Sequence, residues 1–236
     1  MNIIILSPED FIHERSVQLS DYRYHHIKHV HRASLNDTLT IGLLNGDIGQ
    51  GDITEITDEH VTLTIRYQHA PPPPLPITLI VALPRPKMIK RILQTCATMG
   101  VKRIIFMNSY RVEKSYWQTP LLQLEKIKEQ LILGLEQGKD TVLPEVIIEP
   151  RFKPFVEDRL PALCKDTLAF VAHPNSDTPC PHNISTQTTL VIGPEGGFIP
   201  YEVEKLQEAG CQSIHLGSRI LRVETAIPVL LAKLFD

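Results

Sequence analysis

Apolar and polar residues follow two different rhythms along this chain of 236 residues. Up to about residue 70, the segments 38–44, 51–57 and 60–67 alternate apolar with polar residues and are rich in Ile, Thr and Val. Alternation with a period of two indicates strands with one buried face. One interruption, residues 21–32, is predicted to be a helix. Short strands with a single helix are typical of a small β-barrel.

Beyond residue 76, apolar strand segments alternate with helical segments. Residues 77–83 form a continuous apolar run, whereas residues 86–100 place apolar side chains at helical spacing. Further strands are predicted at 102–108, 145–149, 167–173, 189–193 and 213–217, and further helices at 120–138, 152–164, 200–210 and 222–235. This alternation predicts a mainly parallel sheet covered by helices on both faces. Ligands bind such sheets beyond the carboxyl ends of the strands.

The two rhythms are separated by HAPPPPLP, residues 69–76. Four consecutive prolines remove hydrogen-bond donors and stiffen the chain into an extended spacer. The sequence therefore predicts two domains, residues 1–70 and residues 71–236.

The charge of the chain is unevenly distributed. The net charge is −3, but residues 84–128 contain ten Lys or Arg against only Glu113 and Glu125. A local basic block of this kind can attract phosphate even when the whole chain is acidic. The alternative is a solvated face of basic helices.

Cysteine and hydrophobic content place the chain in a reducing compartment. The four cysteines are far apart and form no CxxC pair, so neither a disulfide framework nor a zinc site is expected. No apolar stretch approaches the roughly 20 residues that span a bilayer. The N-terminus has no basic start, so it is a poor signal peptide and a good first strand. These features predict a cytoplasmic protein without a membrane segment.

Four histidines, at positions 25, 26, 29 and 31, lie in the predicted helix of the first domain. Some of their spacings would suit metal ligands on a helix, but zinc also requires cysteine or carboxylate companions, and none is near. The sequence therefore predicts no metal site. A surface that contacts RNA or a solvated helix remain the two interpretations.

The segment VIGPEGGFIP, residues 191–200, joins a predicted strand to a predicted helix. It is not GxGxxG, and it lacks the GK[ST] of a phosphate-binding loop. The carboxylates of Glu195, Glu202 and Glu204 would repel a phosphate at the helix N-terminus. A ligand that is uncharged or cationic at this point suits the loop better. Glycines allow a close backbone approach, so main-chain groups can bind the edge of a flat base. Glycine required only for a tight turn is the alternative.

A second loop, LGSRILRVETA (216–226), makes the pattern specific. The two loops together resemble the C-terminal signature of the RsmE family of SPOUT RNA methyltransferases, whose core reads LGxRILRxETA. His173-Pro174, the basic segment RPKMIKRILQTCATMGVKRI and the N-terminal HHIKHVHR agree with the same family. The resemblance covers essentially the whole chain.

The resemblance implies an α/β fold in which a trefoil-knotted SPOUT methyltransferase domain with a parallel sheet follows a small PUA-like β-barrel RNA-binding domain. It implies an S-adenosylmethionine-dependent enzyme that methylates N3 of a uridine in 16S ribosomal RNA. The expected partners are 16S rRNA or the small ribosomal subunit and a second copy of the chain. Two alternatives stay open: a related SPOUT methyltransferase with another RNA target, and a non-catalytic RNA-binding ribosome assembly factor.

The resemblance also assigns site residues. The catalytic candidates are Arg222, which would stabilise the uracil anion, and Arg219; pairing of such an arginine with Glu224 is the alternative. The expected cofactor-binding residues are Ala172, His173, Ile192, Gly193, Glu195, Gly196, Gly197, Leu216, Gly217, Ile220, Leu221 and Thr225. The expected RNA-binding residues are Arg23, Arg32, Arg85, Lys87, Lys90 and Arg91.

The chain departs from the family pattern at several positions. Thr95 and Met99 stand where relatives usually have Lys and Glu, and residues 133–141 read LGLEQGKDT in place of an AxEQSxR-like run. By analogy, Thr95 and this run are expected to face RNA or the dimer partner. Ile199 stands where a capping Ser or Thr is common, so the helix that begins at Pro200 is expected to lack a cap.

Overall fold

A computed structural model describes residues 2–235 of the chain. Two compact units are distinguished by their internal contacts. The N-terminal unit comprises the chain up to Pro73 together with Ile132–Leu143, and the C-terminal unit comprises Pro74–Leu131 and the chain from Pro144 onward. The sequence placed residues 132–143 in the second domain, whereas the structure groups them with the first.

The N-terminal unit contains a six-stranded sheet in the order β1-β4-β5-β6-β3-β2. All neighbouring strands are antiparallel except β1 and β4, which are parallel. The pattern of alternating residues predicted β4, β5 and β6 but not the short strands β2 and β3. The strands are β1 (Ile4–Leu6), β2 (Phe11–His13), β3 (Ser16–Leu19), β4 (Thr38–Leu43), β5 (Ile48–Ile56) and β6 (Val61–His69).

The predicted helix at 21–32 is present as two short pieces. The first is α1 (Tyr22–His25), with the Asp21 side chain accepting the backbone N–H of Arg23 at its start. A π-helical turn, His26–His31, follows and ends at Arg32 in the left-handed conformation. Ile27 on this turn is fully buried and packs into the core that the inward faces of the sheet form. The apolar side chain therefore anchors a segment whose histidines mostly face solvent.

The segment 133–141 is partly buried in the N-terminal unit. Glu136 is only 2% exposed, and its carboxylate accepts the hydroxyl of Tyr22 at 2.9 Å. The Glu136 carbonyl also accepts the backbone N–H of Asn2 and of Ile3. Asp140 and Thr141 are buried as well. The expectation that this run faces RNA or a partner is therefore wrong for these three side chains.

Burial raises the pKa of Glu136 to about 7, although the Tyr22 hydroxyl and Arg23 act in the opposite direction and Asp21 adds slightly to the rise. The folded state therefore binds this proton more tightly than the unfolded state does. We expect the free energy of unfolding to fall by on the order of 3 kcal/mol as pH rises from about 4.5 to about 7. Glu136→Gln keeps an acceptor for Tyr22 but cannot ionise, so its stability should depend less on pH in this range. Urea unfolding of both proteins at several pH values measures the difference, and parallel curves would contradict the assignment.

The C-terminal unit is built on a six-stranded parallel sheet in the order β12-β10-β11-β7-β8-β9. The mainly parallel sheet expected from the sequence is confirmed. The strands are β7 (Ile77–Ala82), β8 (Arg103–Met107), β9 (Glu145–Glu149), β10 (Leu168–Ala172), β11 (Thr188–Ile192) and β12 (Gln212–Ile214). Strands β7 and β11 are buried along their whole length, as continuous apolar runs predict.

Helices connect these strands. Helix α2 buries its apolar face, including Ile89 and Leu93, and packs against α7. Helix α3 begins in the C-terminal unit and ends in the N-terminal unit. The helices are α2 (Pro86–Thr98), α3 (Leu124–Gly138), α4 (Phe152–Pro154), α5 (Leu160–Cys164), α6 (Pro200–Glu208) and α7 (Val223–Leu234), with a π-helical turn at Phe155–Arg159 between α4 and α5.

Two of the cysteines that are distant in sequence lie side by side in this unit. The Sγ atoms of Cys164, at the end of α5, and Cys211, just before β12, are 3.7 Å apart, and both residues are free thiols. The spacing of 47 residues gave no sign of this contact. Cys96 is fully buried in α2, where desolvation raises its thiol pKa to about 12.

Candidate active site

The loops that follow β10, β11 and β12 enclose a cavity of about 250 Å³ at the carboxyl end of the parallel sheet. This is the edge at which parallel α/β sheets bind ligands. The lining is mainly apolar and includes four glycines. It is formed by Ala172, His173, Pro174, Ile192, Gly193, Pro194, Glu195, Gly196, Gly197, Phe198, Ile214, His215, Leu216, Gly217, Arg219, Ile220, Leu221, Val223, Ala226 and Leu230.

The loop between β11 and α6 is a tight turn. The N–H of Gly197 donates to the carbonyl of Pro194 at 2.8 Å, and Gly197 has φ +73°, which only glycine adopts readily. A Cβ added to Gly197 would meet no protein atom within 4 Å. At Gly196, by contrast, φ is not positive, and an added Cβ would lie 2.9 Å from Cδ of Arg111. Of the two adjacent glycines in this loop, only Gly197 therefore adopts a backbone conformation that requires glycine.

The two carboxylates at this turn have structural partners. Oε1 of Glu195 accepts the backbone N–H of Arg85 at 3.1 Å, at the start of α2, and the Arg85 Nε lies 3.7 Å away. Glu202 is 2% exposed, and its Oε2 accepts the N–H of Ile199 at 3.0 Å. This bond is one half of a capping box, whereas the Ile199 side chain makes no cap hydrogen bond to the first turn of α6, as the sequence predicted.

The loop after β12 is fixed by a histidine. The N–H of Gly217 donates to Nδ1 of His215 at 2.9 Å, and Gly217 has φ +114°. On the neighbouring strand, the N–H of His173 donates to the Ile214 carbonyl at 2.9 Å. Burial lowers the pKa of His173, which favours the neutral form of its ring.

The predicted cofactor-binding residues converge on this cavity with one exception. All the proposed cofactor-binding residues line it except Thr225, which is exposed on the first turn of α7. The two catalytic candidates separate: Arg219 lines the cavity, whereas Arg222 is exposed outside the lining at the start of α7. Among residues 2–235, neither arginine forms an ion pair with Glu224.

Comparison with known proteins agrees with this arrangement. A family model described as an RNA methyltransferase domain matches residues 71–235. The chain belongs to this family. It is 26% identical over 232 residues to the Ribosomal RNA small subunit methyltransferase E of Treponema pallidum. The alignment covers 96% of this chain and 87% of that protein. The resemblance to RsmE enzymes that the two loops indicated is therefore confirmed.

Solved structures share the fold. A Ribosomal RNA small subunit methyltransferase E from Neisseria gonorrhoeae, bound to S-adenosyl methionine, has a TM-score of 0.75 at 24% identity and covers 98% of this chain and 95% of that chain. A putative methyltransferase from Legionella pneumophila in complex with the same molecule has a TM-score of 0.72 at 23% identity and covers 98% and 97%. Both likenesses extend over both units of this RNA methyltransferase.

One of the proposed RNA-binding residues is not available to RNA. The guanidinium of Arg23 is buried and contacts both carboxylate oxygens of Asp10, both of Asp21 and the carbonyl of Ile5, so every N–H is engaged. Assigning Arg23 to RNA was wrong, because the sequence did not show that two aspartates converge on it. The remaining candidates are exposed on the surface: Arg32, Arg85, Lys87, Lys90 and Arg91.

Two further properties concern metal and membrane. Within residues 2–235, no group of three or more His, Cys, Asp or Glu side chains is arranged to hold a metal ion. The four histidines of the segment 25–31 contact each other in pairs, His25 with His29 and His26 with His31. None of the helices in the described part of the chain is both long and apolar enough to cross a membrane.

Sequence reasoning missed several residues of the site. His215 and Phe198 line the cavity, and Glu202 secures the loop beside it, but none was a site candidate. His215 lies directly before Leu216 at the end of β12, so its place at a strand end could have identified it. Glu202 was regarded only as a repulsive charge. Its three-residue spacing from Ile199 is the signal that could have identified it as a cap.

Proposed function

We propose that this chain transfers a methyl group from S-adenosylmethionine to N3 of a uridine in the 16S RNA of the small ribosomal subunit. The observation that carries the proposal is the single cavity into which the two signature loops bring their residues. The RNA methyltransferase family model and the names of the relatives support the same activity.

The residues of the cavity fit S-adenosylmethionine. Open space over Gly197 and at Gly217 leaves room for a ligand against the backbone. Apolar side chains such as Ile192, Leu216 and Leu221 provide faces for a flat adenine ring, while backbone groups of both loops can bind its edge. The Glu195 carboxylate lies in the lining, so a ligand that carries a positive charge meets an opposite charge there, although Arg85 also pairs with this carboxylate.

Catalysis then consists mainly of positioning and charge stabilisation. When bound, S-adenosylmethionine supplies the methyl group. The uracil imide must lose its proton, which solvent water can accept, and this leaves a negative charge spread over N3 and two carbonyl oxygens. We assign Arg222 to the stabilisation of this charge, because it lies next to the cavity loop without lining the cavity itself and has no ion-pair partner among the described residues. Arg219 is the second candidate, as it is exposed within the lining.

Four further features belong to the proposal. The residues 71–236 would form the trefoil-knotted SPOUT domain, and residues 1–70 the PUA-like β-barrel that binds RNA. The enzyme would act as a homodimer in the cytoplasm. The resemblance to RsmE enzymes supports each of them. Light scattering that returns a monomer mass at micromolar concentration would count against the homodimer.

The experiment that tests the function combines binding with analysis of RNA. We expect S-adenosylmethionine to bind the purified protein without RNA, and a chelator to leave the affinity unchanged. Small-subunit RNA from a deletion strain should lack one methyluridine, as measured by mass spectrometry, and this methyluridine should return when the gene is restored. If S-adenosylmethionine binds but the deletion strain loses no methyluridine from its small-subunit RNA, the enzyme has another RNA target. If S-adenosylmethionine does not bind and no methyluridine is lost, the protein is a non-catalytic assembly factor.

The basic face of α2 is expected to contact phosphate. Lys87, Lys90 and Arg91 are exposed beside one another on this helix. Reversing all three to Glu should weaken binding equally for different RNA sequences and flatten the salt dependence, because fewer counterions are released. Measuring the RNA affinity at several salt concentrations tests this. An unchanged slope in the variant would mean that this face is only solvated.

A further inference from the structure

The loop that follows β8 is attached to the cavity loop through Glu202. Oε1 of Glu202 accepts the backbone N–H of Tyr110 at 2.7 Å, and Oε2 accepts the N–H of Ile199 at 3.0 Å. Because the carboxylate is only 2% exposed, both hydrogen bonds are shielded from water. One buried side chain therefore fixes two loops that are far apart in sequence.

A second contact joins the same two loops. The Nη1 group of Arg111 donates to the carbonyl of Gly196 in the cavity loop. The loop after β8 also closes on itself, since the N–H of Val112 donates to the carbonyl of Ser109 at 3.0 Å. The backbone around Tyr110 is thus held on both sides, next to residues that line the cavity.

On this fixed backbone, the side chain of Tyr110 is 78% exposed. Within residues 2–235, its ring stacks on no other ring, and its hydroxyl has no hydrogen-bond partner. Folding therefore gains little from this aromatic side chain. Proteins that bind single-stranded nucleic acid present aromatic rings in this way, because an unpaired base can stack on them.

The charges beside Tyr110 suit an RNA ligand. Arg111 and Lys114 are exposed, and the Arg85 side chain is 66% exposed. Of the nearby carboxylates, Glu195 pairs with Arg85, whereas Glu113 accepts only the neutral hydroxyl of Tyr116 and keeps its negative charge. A phosphate next to a stacked base would therefore meet the two cations Arg111 and Lys114 against the single carboxylate of Glu113.

We propose that Tyr110 is a stacking platform for an unpaired base of the RNA substrate and that Glu202 is the residue that positions it. The proposal rests on the proposed function, because RNA is the ligand in both. The chemical class of the ligand is a nucleobase in a single-stranded segment, and its identity is not read, since every base has a face that can stack.

The first test measures binding of a fluorescently labelled single-stranded RNA oligonucleotide to the full chain. Tyr110→Ala should raise the RNA Kd by about 5- to 100-fold, whereas Tyr110→Phe and Tyr110→Trp should bind like the wild type. The slope of affinity against salt should be unchanged, because no phosphate contact is lost. Tyr201→Ala is the matched control: Tyr201 is also exposed, but its ring lies beneath the Lys205 ammonium, 5.9 Å from its centroid.

The second test separates positioning from general stability. Glu202→Gln keeps one acceptor but presents N–H groups to the other loop, so it should also weaken RNA binding. If Glu202 acts through Tyr110, the double variant should bind RNA little worse than Tyr110→Ala alone. Fully additive losses would overturn the role of Glu202.

A wild-type RNA Kd for Tyr110→Ala would overturn the stacking proposal, as would a loss that neither Phe nor Trp restores. These outcomes are independent of the proposed function. A wild-type protein that binds RNA through Tyr110 but neither binds S-adenosylmethionine nor methylates RNA would instead contradict the enzyme assignment and leave the stacking site in place.

Discussion

Arg222→Ala is expected to reduce turnover by roughly 10²- to 10³-fold while the affinity for S-adenosylmethionine stays within a few-fold. Arg222 is exposed outside the cavity lining, so its loss should leave the binding site intact. Its carbonyl accepts the N–H groups of Thr225 and Ala226, and these backbone contacts survive the substitution. The side chain should therefore contribute mainly when negative charge develops on the uracil. Single-turnover methyl transfer at saturating cofactor, together with calorimetry, measures the two quantities.

Arg219→Ala is the matched control, since it removes the same kind of side chain from within the lining. We expect it to weaken cofactor binding more than Arg222→Ala does. If Arg222→Ala instead loses cofactor affinity and keeps normal turnover at saturating cofactor, the arginine belongs to the binding site. The stabilising charge would then have to come from Arg219.

The sequence predicted most elements of the fold because each depends on a local pattern. The segments of alternating apolar and polar residues correspond to β4, β5 and β6, and the segments that alternate strands with helices form the parallel sheet. Two kinds of feature escaped it. Strands as short as Phe11–His13 contain too few residues to show a period. The grouping of Ile132–Leu143 with the N-terminal unit depends on contacts such as Glu136 with Tyr22, which no local pattern reveals.

The site shows the same division between local and distant information. Residues of the two glycine loops converge because each loop is one continuous segment at a strand end. Pairs of side chains from distant segments were not predictable. Arg23 was expected to contact RNA, but its guanidinium binds Asp10 and Asp21 instead. Glu202 was regarded as a repulsive charge, but it binds the backbone of two loops. In each case a charged residue had partners that only the fold supplies.

Gly197→Ala is expected to lower the affinity for S-adenosylmethionine at least tenfold, which corresponds to about 1.4 kcal/mol. Gly197 has φ +73°, a conformation that an alanine adopts only with strain. The new Cβ would meet no protein atom within 4 Å, so its effect should be confined to the turn and to the ligand space beside it. Calorimetric titration measures the affinity, and thermal unfolding measures the strain.

Gly100→Ala separates the strain from the loss of ligand space. Gly100 has φ +81° at the end of α2, and it does not line the cavity. The Gly100→Ala protein should lose about as much stability as the Gly197→Ala protein but keep the wild-type affinity for the cofactor. Gly196→Ala offers a second comparison, because its Cβ would displace the Arg111 side chain rather than strain the backbone. Equal losses of affinity in Gly100→Ala and Gly197→Ala would mean that the turn at Gly197 is not part of the binding site, since general destabilisation would then explain both.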